Sequence, residues 1–102
     1  MARFARLVVP NYPHHIVQRG VRSMDIFSDD QDRLAYLQMM AEEAEFSGVT
    51  FLSWCLMTNH VHLIAVPEHE DSLARTIGEA HRRYTRKKNF TAGVRGYLTA
   101  VV

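Results

Sequence analysis

Two histidines one residue apart, His60 and His62, stand at the head of the apolar run HVHLIAV. Successive side chains of a strand point to opposite faces, so in extended chain both imidazoles project from one face and Val61 from the other. Two imidazoles side by side suit one divalent ion. The triplet alone does not specify a metal, because short H-x-H sequences arise by chance and an ion needs at least one further ligand. A second chemical signal is a run of cations. Six of the twelve basic residues, Arg75, Arg82, Arg83, Arg86, Lys87 and Lys88, fall within 71–88. Such a run is either a solvated helix face or a surface that neutralises nucleic-acid phosphates with salt-sensitive, largely sequence-independent affinity.

The elements that must carry these residues follow from periodicity. HHIVQR at 14–19 reads as a short strand between Pro13 and Gly20. Ser28 and Gln31 have capping-box spacing, and Asp29 and Asp30 suit the positive end of a helix dipole, so a helix starts there. Leu34, Leu37, Met40, Ala41 and Ala44 recur at helical spacing as its apolar face, and Gly48 stops it. VTFLSWCLM at 49–57 and HVHLIAV at 60–66 are two strands, joined by a tight Thr58-Asn59 turn in which Asn59 can take a positive φ. A second helix over about 71–88 puts Leu73, Ile77, Ala80 and Tyr84 on one side. Residues 89–96 read as a loop and 97–102 as a last strand.

The order β-α-β-β-α-β is that of the α+β ferredoxin-like folds, an antiparallel sheet with two helices on one face. Right-handed crossovers place the first and third strands side by side, which brings Gln18 and Arg19 near His60 and His62 and leaves His14 and His15 at the far end. One domain of 102 residues, 47% apolar and of net charge +1, is long enough for its own core. Global charge names no partner, but Asp29, Asp30, Asp32, Glu42, Glu43 and Glu45 cluster in 29–45, so an acidic and a basic part are expected. The single Cys55 excludes an intrachain disulfide and reads as a small buried hydrophobe in a reduced, cytoplasmic setting. MARFARLVVP is too short in its apolar part for a signal peptide, and no run approaches the ~20 residues that span a bilayer.

Taken together, PHHIVQRG at 13–20, IFSDDQDRLAYLQMM at 26–40, CLMTNHVHLIAVPE at 55–68 and RRYTRKKN at 82–89 resemble the HUH single-tyrosine transposases, most closely their REP-associated branch. The likeness runs over nearly the whole chain. Family members usually carry proline where this chain has Thr58, a departure that touches the turn more than the ligands. The resemblance implies that His60 and His62 hold Mg²⁺ or Mn²⁺, which polarises a phosphate of single-stranded DNA beside a hairpin. A tyrosine then attacks, giving a 5′-phosphotyrosine link and a free 3′-OH. It also implies phosphate contacts from Arg19, Arg22, Arg82, Arg83, Arg86 and Lys87, and a homodimer without membrane association.

In the related transposases the nucleophile lies on a later helix, of which GVRGYL at 93–98 resembles only the approach. The expectation is therefore a single HUH transposase-like domain over 1–102 that lacks the tyrosine helix and is catalytically incomplete. Tyr84 is the substitute candidate, but it shares a helix face with Leu73, Ile77 and Ala80 and reads as a packing residue. Tyr12, Tyr36 and Tyr97 match no motif, and His69 and His81 read as surface residues. The alternative functions are a DNA-binding remnant without chemistry and a regulatory or metal-binding ferredoxin-like module.

Overall fold

The structure, a computed structural model, describes residues 8–20, 24–92 and 98–101, with side chains through Lys88. Six elements follow in order: β1 (His14–Gly20), α1 (Asp30–Ser47), β2 (Val49–Leu56), β3 (His60–Pro67), α2 (Ser72–Ala92) and β4 (Leu98–Val101). The strands form one sheet in the order β2-β3-β1-β4, with every neighbouring pair antiparallel. This is the ferredoxin-like arrangement, with β1 and β3 in the centre. α2 continues to Ala92, across residues the sequence reads as loop. Among the described residues no helix is long and apolar enough to cross a membrane.

α1 is capped one residue later than Ser28. The Asp29 carboxylate accepts from the Asp32 amide at 3.0 Å, and Asp32 reaches back to accept from the Ser28 amide at 2.7 Å. At the other end Gly48 adopts φ 79°, the left-handed conformation that glycine tolerates at a helix stop. The buried stripe of α1 is Asp32, Tyr36, Met40 and Ala44; Met40 and Ala44 are on the expected face and Leu37 is half-buried, but Leu34 is 59% exposed and Ala41 is exposed. Apolar residues occur all round this helix, and its one fully buried aromatic, Tyr36, decides which side turns inward. On α2 the expected face holds: Leu73, Ile77, Ala80 and Tyr84 are all buried, together with Thr76, His81 and Lys88.

Between the helices and the sheet lies an aromatic cluster. Phe27, Tyr36 and Tyr84 meet edge-on with centroids 5.3–5.8 Å apart. Tyr36 is hydrogen-bonded to His81 Nε2 at 2.9 Å, so His81 belongs to the interior and not to the surface. Lys88, the last cation of the α2 run, is also interior. Its ammonium donates to Asp32 at 2.8 Å and to the Ser28 hydroxyl at 2.9 Å, tying the end of α2 to the start of α1. Burial works to raise the Asp32 pKa, but the Lys88 ammonium and the Ser28 amide outweigh it and hold the carboxyl below its usual range.

Burial pushes the His81 pKa down from 6.5 to about 4. The unfolded chain takes up this proton near pH 6.5 and the folded chain does not, so the stabilisation is complete above pH 6.5 and is lost as pH falls toward 4. Guanidinium unfolding at stepped pH should show a loss on the order of 3 kcal/mol across that window. The paired change Tyr36→Phe plus His81→Leu, which removes both polar partners, should flatten it.

Candidate metal centre and nucleic-acid interface

The alternation of β3 decides which side chains the helices cover. Val61, Leu63, Ala65 and Pro67 are buried against the helices, while His60, His62, Ile64 and Val66 lie half-buried on the opposite, open face. β1 pairs with β3 so that Arg19 faces His60, Gln18 faces Val61 and Val17 faces His62. Arg19, Val17 and His15 therefore share the open face with the two histidines. Gln18 does not. Its side chain is fully buried on the helix side, because adjacency of strand ends does not override the parity of the pleat. Conversely His15, which strand-end reasoning leaves at the far end, reaches diagonally to His62. Its Nε2 is hydrogen-bonded to His62 Nδ1 at 3.1 Å, and the rings lie edge to edge in nearly one plane, with centroids 5.3 Å apart and planes within 14° of each other. Cys55 pairs in register with His62 and is exposed on the open face, not buried as its type suggests.

The turn that presents His60 is clamped from outside the hairpin. The Thr58 carbonyl accepts from the Ile26 amide at 2.7 Å and the Asn59 carbonyl from the Gly20 amide at 2.9 Å. Arg33 Nε donates to the Leu56 carbonyl at 3.1 Å while its guanidinium lies 5.2 Å from the Phe27 ring centroid. Ile26 is itself fixed by Tyr84, whose hydroxyl donates to the Ile26 carbonyl at 2.6 Å. Asn59 keeps a negative φ, contrary to the expectation for such a turn. Its contribution is the side chain, whose oxygen lies 2.8 Å from His60 Nδ1.

Both site histidines thus have Nδ1 occupied, His60 by Asn59 and His62 by His15, which leaves Nε2 of each ring for a ligand. Their ring centroids are 5.0 Å apart. With metal–nitrogen bonds of about 2.1 Å and a ligand angle of about 100°, two imidazoles on one ion have centroids roughly 5 Å apart, so the pair fits a first-row divalent ion. Among the described residues no group of three His, Cys, Asp or Glu side chains could hold a metal.

The cations divide among different tasks. Arg19 is exposed on the open face beside His60. Arg22 lies outside the described residues. Arg82 pairs with Glu79 on its own helix. Arg83, expected on the phosphate surface, instead turns to α1 and donates to Glu42 at 2.7 Å and Glu43 at 3.2 Å; hydrogen bonds from Arg83 and Gln38 hold Glu42 below its usual pKa. Arg86 and Lys87 are exposed near the end of α2. Because Tyr84 and Lys88 contact Ile26 and Ser28, these last turns of α2 lie at the hairpin-tip end of the molecule, on the layer opposite the histidines. Tyr84 and Tyr36 are fully buried, and burial, with Tyr84 beside it, pushes the Tyr36 phenol far above its ordinary range. Tyr12 is exposed before β1, at the other end of the sheet from His60, and Tyr97 lies outside the described residues.

A cavity of about 480 Å³ between α1 and β2, lined by Leu37, Met40, Ala44, Phe51 and Trp54, sits on the helix side and shares no residue with the histidine site.

Residues 8–93 match the family of IS200-like transposases. The chain belongs to that family, whose members are DNA-processing enzymes. Its fold is shared with the solved structure of a REP-associated tyrosine transposase bound to a REP hairpin, with a TM-score of 0.67 at 12% identity over the whole of this chain. The chain spans 63% of the length of that structure. No curated protein matches.

The clamp makes Gly20 a sensitive position. A Cβ there would lie 2.0 Å from the Met24 carbonyl oxygen, a backbone atom that must move to admit it. Gly20→Ala should lower the urea midpoint by the equivalent of about 2 kcal/mol, a typical overpacking cost. It should also shift the His60 ring resonances, because the displaced 24–26 segment carries the amide that holds Thr58. Unchanged His60 resonances would separate the clamp from the site.

Proposed function

We propose that this chain is the metal- and DNA-binding part of a transposase of the HUH type, with His60 and His62 holding a divalent ion on the open face of the sheet. The observation that carries this reading is the pair of half-buried imidazoles whose Nδ1 atoms are both engaged and whose spacing suits one ion. A bound Mg²⁺ or Mn²⁺ would polarise a DNA phosphate as a Lewis acid. Imidazole nitrogen favours the transition metal, so Mn²⁺ is the better probe.

Arg19 is the residue best suited to meet a phosphate at that ion, since it shares the open face with His60. Arg86 and Lys87 extend positive charge around the hairpin-tip end, and we assign them to the duplex or flanking backbone. Arg82 contributes less because Glu79 offsets its charge. The REP hairpin held by the structural neighbour supports a hairpin with a single-stranded flank as the substrate class. Tyr36 and Tyr84 supply no nucleophile in this reading, being sealed in the core.

Calorimetric titration with Mn²⁺ tests the metal role: His60→Ala plus His62→Ala should abolish binding without unfolding the chain, and unchanged binding would remove both residues from it. In DNA titrations across salt concentrations, Arg19→Glu and Arg86→Glu should each weaken binding to every sequence and reduce the salt slope by about one. Affinity equal to that of the parent chain at all salt concentrations would leave these cations as a solvated surface.

A separate outcome concerns Tyr84. With end-labelled hairpin DNA and Mn²⁺, any label that denaturing electrophoresis shows linked to the chain should be unchanged by Tyr84→Phe, because that phenol is fully buried. An adduct that disappears with Tyr84→Phe would overturn the packing role of that phenol.

A further inference from the structure

The hydrogen bond between His15 and His62 lies outside the hydrophobic core. His15 is exposed, contributes nothing to the core, and sits on the open face, where no helix covers it. Yet its Nε2 lies 3.1 Å from His62 Nδ1 with the rings nearly parallel. The same nitrogen of His60 meets the Asn59 side-chain oxygen at 2.8 Å. An imidazole can bind a cation through Nε2 only when the ring proton stays on Nδ1, and the partner of Nδ1 decides this tautomer. Asn59 offers His60 an oxygen acceptor. For His62 the corresponding acceptor is the unprotonated Nε2 of His15.

We infer that His15 is a positioning residue for the metal centre: it accepts the Nδ1 proton of His62 in an in-plane hydrogen bond, and so fixes the ring and presents His62 Nε2 to the ion. This rests on the reading of His60 and His62 as metal ligands. His15 itself stands behind His62, on the Nδ1 side of that ring, and is not a ligand. Two roles can be separated by substitution. His15→Phe keeps a flat ring beside His62 but has no acceptor, whereas His15→Gln keeps an acceptor oxygen and loses the ring.

The test combines Mn²⁺ titration by calorimetry with nitrogen–proton correlation spectra of the histidine rings in the metal-free chain. The parent chain and His15→Gln should show His62 protonated on Nδ1 and bind Mn²⁺ alike. His15→Phe should show mixed His62 tautomers and bind about tenfold more weakly, the usual cost of losing a partner behind a metal-bound histidine. If His15→Phe matches the parent chain in tautomer and affinity, the inference is overturned while the metal reading stands. If the parent chain binds no Mn²⁺, the metal reading falls and the inference with it.

Discussion

The Tyr84 hydroxyl donates to the Ile26 carbonyl in the dry centre of the molecule, and the position of the site histidines depends on that bond. Residues 24–27 form no regular element, so their backbone groups must find partners elsewhere. Tyr84 takes the Ile26 carbonyl, and the Ile26 amide in turn holds the carbonyl of Thr58, the residue two before His60. A helix, an irregular segment and a hairpin turn are thereby joined through one buried residue. The phenol that looks like a substitute nucleophile in the sequence is thus part of the support beneath the site, and its burial is the condition for that role.

Charge is distributed by the same packing. The acidic first helix and the basic second helix are not two separate surfaces, because α1 and α2 lie against each other and partly neutralise each other. Arg83 meets Glu42 and Glu43, and Lys88 meets Asp32 in a nearly closed environment. A buried pair of this kind contributes little net stability compared with an apolar pair, but loss of one partner strands the other charge, so the pairing fixes how the helices meet. The exposed part of the cationic run includes Arg86 and Lys87, at the end of the molecule where Arg19 and the histidines also lie.

The parts of this arrangement that were legible in the sequence are those set by local periodicity. The face of α2 could be read because Leu73, Ile77, Ala80 and Tyr84 stand out from a polar background. The order of elements and the central pairing of β1 with β3 follow from pattern and crossover handedness. The face of α1 could be read only in part, at Met40 and Ala44, since its apolar residues surround the helix and its buried charge, Asp32, is acceptable only with Lys88, 56 residues away. The partners of Arg83 were hidden for the same reason. His15 was nearer to reach: once Arg19 is placed opposite His60, a period of two puts Val17 and His15 on the histidine face and Gln18 on the other. Cys55 follows the same parity through its pairing with His62.

Parity also explains why β2 contains an irregularity. Register is continuous from Val49 to Phe51 and again from Ser53 to Leu56, with Leu52 as the extra residue between them. Without that bulge Ser53 would face Leu63 on the helix side, and Trp54 and Leu56 would turn to the open face. With it, Trp54 and Leu56 join Phe51 on the helix side, and the small Cys55 stands next to His62 instead of a bulky ring or branched chain. One inserted residue thereby satisfies two demands on the same strand, apolar cover for the helices and open space beside the imidazoles. A one-residue slip of β3 would be worse, because it would bury both histidines and expose Val61, Leu63 and Ala65 together. The alternation that builds the core is therefore the same constraint that puts the histidines where a phosphate could reach them, and neither can change register without the other.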